Sequence, residues 1–191
     1  MTPSELMERL SGLRRAQVDG RRAPHKPLLL LWLFGRFAAT GSALAPYAEA
    51  ADPVSQLIND FGPSVRSPAL ERQRAAMPFV HLEHELWELR DRSGDDVGPD
   101  APERTRWLLD RGAVGQIPPE VTALLAESTT LAAAARLLLD QHFTPVLGEM
   151  ICAAANLDLA ILEVSQISRP SVRRARAPGF AEQVLRAYAY R

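Results

Sequence analysis

Met77-Pro78-Phe79-Val80-His81-Leu82-Glu83-His84-Glu85-Leu86-Trp87-Glu88-Leu89 is the one stretch of the chain that reads as β. Val80 and Leu82 alternate with Phe79 and His81, and Leu86, Trp87 and Leu89 follow a short polar turn. Alternation of period two on both sides of a turn predicts a small two-faced hairpin. Pro78 falls where a proline is tolerated, at the opening of an edge strand. The segments on either side have helical patterns. The predicted class is therefore mainly α with a small β-hairpin, a winged-helix-like α+β arrangement.

Upstream, Thr2 or Ser4 can cap a first helix that carries Leu6, Leu10 and Leu13 on one face. Arg14, Arg15, Arg21 and Arg22 surround its end, and Asp19-Gly20 makes a turn. Pro24 and Pro27 then fit the start of a helix and not its middle. The run Leu28–Phe34 is apolar nearly all round, which predicts a central, buried helix. The start of that helix carries His25 and Lys26, where free amides and the helix dipole favour an anion. Gly41 and Pro46 mark a loop, and 47–61 reads as an amphipathic helix with Val54, Leu57, Ile58 and Phe61 inward. Residues 64–76 have no clear period and hold Arg66, Arg72 and Arg74.

Downstream, 90–102 is an exposed loop rich in Ser, Gly, Asp and Pro. A helix over 103–111, with Trp107 and Leu108 inward, a turn over 112–119, and helices over 120–127, 130–141 and 145–155 follow. From Ser165 the chain turns basic and proline-containing, and 180–190 has the pattern of a short amphipathic helix with nothing of its own to pack on. The expected division is a domain over 1–165 and a linker plus the first helix of a further domain over 166–191.

The net charge of -1 argues against a polyanion partner, but its distribution argues for one. Residues 1–80 carry ten basic and seven acidic side chains, 81–165 six and fifteen, and 166–191 six and one. A basic front, an acidic middle and a basic tail suit a protein that offers one face to nucleic acid. A hairpin beside a few helices is also the layout of winged DNA-binding modules. The single cysteine, Cys152, excludes an internal disulfide and a multi-cysteine metal site, and its apolar neighbours suggest a buried structural thiol. His81 and His84 have no third ligand to make a metal site. His142 reads as a helix-end cap. No apolar run is long enough to cross a membrane, and no signal peptide is legible, so a cytoplasmic protein is expected. Paired carboxylates in a recognisable motif, a nucleotide loop and a nucleophile motif are also missing from the pattern, so neither enzyme chemistry nor a cofactor is expected of this chain.

Three motifs together carry a resemblance: Arg21-Arg-Ala-Pro-His-Lys-Pro-Leu-Leu-Leu-Leu31, Pro78-Phe-Val-His-Leu82 with Leu86-Trp-Glu-Leu89, and the closing segment 180–191. The sequence resembles phosphorothioate-dependent type IV restriction endonucleases, in which a sulfur-binding domain precedes an HNH nuclease domain. The resemblance covers nearly the whole chain but only the reading half of such an enzyme. It implies a domain that binds double-stranded DNA in which sulfur replaces a non-bridging phosphate oxygen, and a C-terminal HNH domain beyond Arg191 as its partner. It also implies that the sulfur lies in a shallow apolar cavity around Pro78. Met77 stands where relatives often have an aromatic residue, and His81 is bulkier than the small residue expected there. Phe79 is open between cavity and core.

The chemistry suits those residue types. A phosphate oxygen pressed against a proline ring loses its water and gains no donor, a penalty of roughly 1–3 kcal/mol. A thiophosphate sulfur is softer and a poorer acceptor, so it loses less. The charge remains, so cations are needed at the edge. The candidates are Arg21, Arg22, His25, Lys26, Arg66, Arg72 and Arg74, with Arg104 and Arg106 as readers of base or backbone. Two other classes compete: a winged-helix-type binder of unmodified DNA, and an interaction domain that dimerises through the alanine- and leucine-rich helices of 130–155.

Overall fold

Thr2 starts helix α1 (Pro3–Ser11) with a capping box: its side chain accepts from Glu5 N, and the Glu5 carboxylate accepts from Thr2 N at 2.6 Å. Leu6 and Leu10 of this helix are fully buried. The computed structural model describes residues 1–14, 17–18, 21–65, 67–98 and 100–158, with the side chains of 17–18 and 21–22 excepted. The expected linker and terminal helix of 166–191, Arg15 and Arg66 lie outside the described residues.

Strands β1 (Gln17–Val18) and β2 (Arg21–Arg22) pair antiparallel and lead into α2 (His25–Thr40). Leu28 to Gly35 are all buried on every side of α2, as an apolar run without a polar face requires. α2 is the central element and packs against α3 (Tyr47–Phe61), α5 (Ala76–His81) and α8 (Ser128–His142). Gly35 allows the tightest of these approaches. A Cβ there would sit 1.9 Å from the carbonyl oxygen of Ala155, just past α9 (Pro145–Ala154).

Strands β3 (Leu44–Pro46), β5 (Val114–Gln116) and β4 (Glu88–Arg90) form a small antiparallel sheet with β5 in the middle. Gly115 faces Ala45 on one side and Leu89 on the other. The short helices α4 (Pro68–Glu71), α6 (Thr105–Asp110) and α7 (Pro119–Leu125) complete the described fold.

The class stands as read, mainly α with a small β element, but the β element lies elsewhere. Residues 77–82 are no strand. Met77 to His81 belong to α5, and only the far end of the expected hairpin, Glu88–Arg90, is β. Ala75, Ala76, Phe79 and Val80 join the apolar core, and their i, i+1, i+4, i+5 spacing is that of a helix face. Pro78 is the third residue of α5, one place before the first amide that needs an intrahelical acceptor, Phe79 N to Ala75 O at 3.1 Å. The expected turn over 112–119 contains the central strand, and the loop around Pro46 contains an edge strand.

Candidate nucleic-acid interface

The site is built from α5 lying across the first turn of α2. Both ends of α5 are tied to that turn. Before α5, Arg74 Nη2 lies 3.1 Å from His25 Nε2. After it, Lys26 Nζ donates to Glu83 Oε1 at 2.7 Å, and the same oxygen accepts from Arg14 N at 2.8 Å. The inner side of α5 is fixed by aromatic packing. Phe79 meets Tyr47 and Trp87 edge to face, with ring centroids 4.9 and 5.1 Å apart, and Trp87 Nε1 donates to Phe79 O at 2.9 Å. Phe79 is fully buried and belongs to the core.

The other side of α5 presents Met77, Pro78 and His81. In a strand, Met77 and His81 would face away from Pro78. In a helix the i, i+1, i+4 spacing places all three on one stripe. Pro78 is buried, and Met77 and His81 are half-buried beside it. His81 Nε2 lies 2.7 Å from Glu103 Oε1, a residue that the sequence reading did not single out.

The segment 103–106 runs alongside. Thr105 Oγ1 donates to the carbonyl of Arg72 at 3.4 Å and lies 2.7 Å from the hydroxyl of Tyr47, which burial pushes above its ordinary pKa. Arg72, Arg104 and Arg106 are exposed at this edge, and Arg106 Nε is 3.7 Å from Asp110. Arg21 and Arg22 form β2, immediately before α2.

The cations at the α2 start differ in their surroundings. Lys26 is 9% exposed and ion-paired with Glu83. Arg74 Nη1 donates to Asn59 Oδ1 at 3.2 Å, and Asn59 Nδ2 donates to the carbonyl of Glu71 at 3.3 Å. Burial, and secondarily the positive charge of Arg74, lower the pKa of His25 to about 4, so it is neutral at pH 7. Arg74 can only donate, so Nε2 of His25 accepts and the ring proton sits on Nδ1. Nδ1 is itself buried without a partner. The first turn of α2 has no side-chain cap, which leaves the amides of His25 and Lys26 without one.

Sequence reasoning missed Asn59, Ser55, Glu103 and Thr105. Ser55, 4% exposed, accepts from Ala75 N at 3.1 Å and so holds the turn before α5. Each acts across 12 or more positions, and no local pattern signals it. Cys152, on α9, is half-buried, and burial raises its thiol pKa.

The described geometry thus sets an apolar stripe of α5 beside the uncapped start of α2 and the Arg74 guanidinium. Residues 3–159 match the ScoMcrA-like DNA sulfur-binding domain family, and the chain belongs to that family. No curated protein sequence matches the chain. Solved structures with the same fold include the sulfur binding domain of SprMcrA complexed with phosphorothioated DNA, at 20% identity and TM-score 0.64, covering 82% of this chain and 95% of that one. The sulfur binding domain of ScoMcrA complexed with phosphorothioated DNA is 22% identical, with TM-score 0.65 and coverage of 82% and 96%. The type IV phosphorothioation-dependent restriction endonuclease ScoMcrA is 21% identical, with TM-score 0.64, and the shared region covers 82% of this chain but 32% of that enzyme.

Proposed function

We propose that this domain binds phosphorothioate-modified double-stranded DNA and holds the non-bridging sulfur against the Met77–Pro78–His81 stripe of α5. The observation that carries the reading is that stripe's position across the start of α2, beside Arg74. In this reading the buried ring of Pro78 is the floor on which the sulfur rests, and the Met77 thioether and His81 imidazole flank it. A thioether is soft and apolar, so the cup keeps its character where an aromatic wall is replaced. The uncapped amides of the α2 start and the Arg74 guanidinium take the remaining charge of the thiophosphate. Arg72, Arg104 and Arg106 follow the flanking backbone and set the salt dependence. Lys26, committed to Glu83, shapes the site and does not touch DNA. Discrimination comes from penalising oxygen as well as from attracting sulfur. In a longer protein the domain would direct a linked HNH nuclease to the modified site.

The test is a titration of the chain with one short duplex carrying a single Rp phosphorothioate, against the Sp form and the plain phosphate. A preference of about tenfold for one sulfur diastereomer, equivalent to about 1.4 kcal/mol, supports the reading. Equal affinity for all three would leave a binder of unmodified DNA, and no binding to any would leave an interaction domain.

A further inference from the structure

Several cations of this fold are neutralised by carboxylates, among them Lys26 by Glu83, Arg36 by Glu49, Arg9 by Glu85 and Arg111 by Asp91. Arg74 is not. It is half-buried, and among the described residues no carboxylate lies within ion-pair distance. Its two terminal nitrogens instead meet two neutral groups, Asn59 Oδ1 at 3.2 Å and His25 Nε2 at 3.1 Å. Asn59 is oriented in turn, because its amide nitrogen donates to the Glu71 carbonyl and so its oxygen must face the guanidinium. Glu71 exerts only a through-space attraction on Arg74. Taking a guanidinium partly out of water without a counter-charge is costly, and an arriving anion offsets that cost.

We infer that Asn59 is a positioning residue of the interface: with His25 it fixes the Arg74 guanidinium by uncharged contacts, so that its full charge is left for a backbone phosphate or thiophosphate of the bound DNA. The inference rests on the DNA-binding reading above. It assigns a role to α3, whose Asn59 is 15 positions from Arg74 in sequence and whose last turn has no basic residue. Preorganised donors bind better because the side-chain entropy is lost before the ligand arrives.

The discriminating variant is Asn59→Asp. A carboxylate is nearly isosteric with the amide and would pair with Arg74, so thermal stability should hold or rise while the cation is neutralised. Asn59→Asp is expected to weaken binding of the full chain to a phosphorothioate duplex by about tenfold or more and to reduce the salt slope by about one. Asn59→Ala should weaken binding to thio and plain duplexes by the same factor, and should add little in an Arg74→Ala background, because its effect passes through Arg74. Undiminished affinity of Asn59→Asp, or a loss in Asn59→Ala that persists in full without Arg74, would overturn the inference while leaving the DNA reading intact. Failure of the wild-type chain to bind any duplex would instead overturn the DNA reading itself, and the inference with it.

Discussion

Lys26 is the sole lysine of the chain and stands at the start of the central helix, where a phosphate contact is the natural expectation from sequence. The structure gives it another partner, and Lys26→Met separates the two roles. The Lys26 and Glu83 side chains are 11% and 16% exposed, and their charged atoms are 2.7 Å apart. Glu83 Oε1 also binds the backbone of Arg14, while Oε2 is buried without a partner. Removing the lysine leaves a carboxylate out of water with one backbone donor. Breaking one side of a buried pair typically costs about 3–5 kcal/mol. Residual exposure and the Arg14 donor place the expected cost at the lower end, about 3 kcal/mol, a large share of the ~5–15 kcal/mol that stabilises a domain. Urea unfolding should show that loss for Lys26→Met and a smaller one for Lys26→Met/Glu83→Leu, because the double variant buries no lone charge. DNA affinity, measured well below the unfolding midpoint, should change less than threefold. A Lys26→Met protein as stable as wild type but deficient in DNA binding would refute the reasoning and make Lys26 a ligand contact.

Gly115→Ala should destabilise by roughly 2–4 kcal/mol in denaturant melts, because the new Cβ would lie 1.7 Å from the Trp87 ring and overpacking would be joined by loss of the Trp87–Phe79 hydrogen bond. His25 makes stability fall on acidification. The unfolded chain takes a proton below the ordinary 6.5 and the folded one resists until about 4, so the contribution is whole above 6.5 and is lost as pH drops between those values. The decline should be shallower in His25→Gln, and identical slopes would count against a neutral, buried imidazole. Glu103, half-exposed beside His81, is an acid on a basic edge. Glu103→Gln should therefore tighten duplex binding about two- to fivefold at low salt, with the gain fading as salt screens the repulsion.

Long periodic segments were legible in the sequence. Residues 47–61 read as an amphipathic helix and form α3 with those bounds, and the all-apolar run after Pro27 is the buried heart of α2. Short segments were not. Residues 77–82 satisfy both a period of two and the helix spacing over six positions, and the sequence offers no third turn to decide between them. The tertiary contacts decide: in the helical phase Phe79 packs between Tyr47 and Trp87. β5 is three residues long with a glycine at its centre, so it carries the signature of a turn, and the glycine is there to let Trp87 lie across the strand. For the candidate site, Met77, Pro78, His81, His25 and Arg74 were named from the sequence, yet their grouping on one stripe and one helix start follows from a helix that the pattern did not predict. Asn59 lay beyond reach because nothing local distinguishes it from any exposed amide on α3.

Whether the apolar stripe on α5 chooses sulfur over oxygen is read from the ratio of affinities for the thio and plain duplex in wild type and in Pro78→Ser. Serine preserves a small side chain in the first turn of α5 and supplies a hydroxyl donor where the ring offered none. The wild-type preference of about tenfold is expected to collapse toward one in Pro78→Ser, chiefly because the plain phosphate binds better. A folded Pro78→Ser protein that keeps the full preference for sulfur would contradict that expectation.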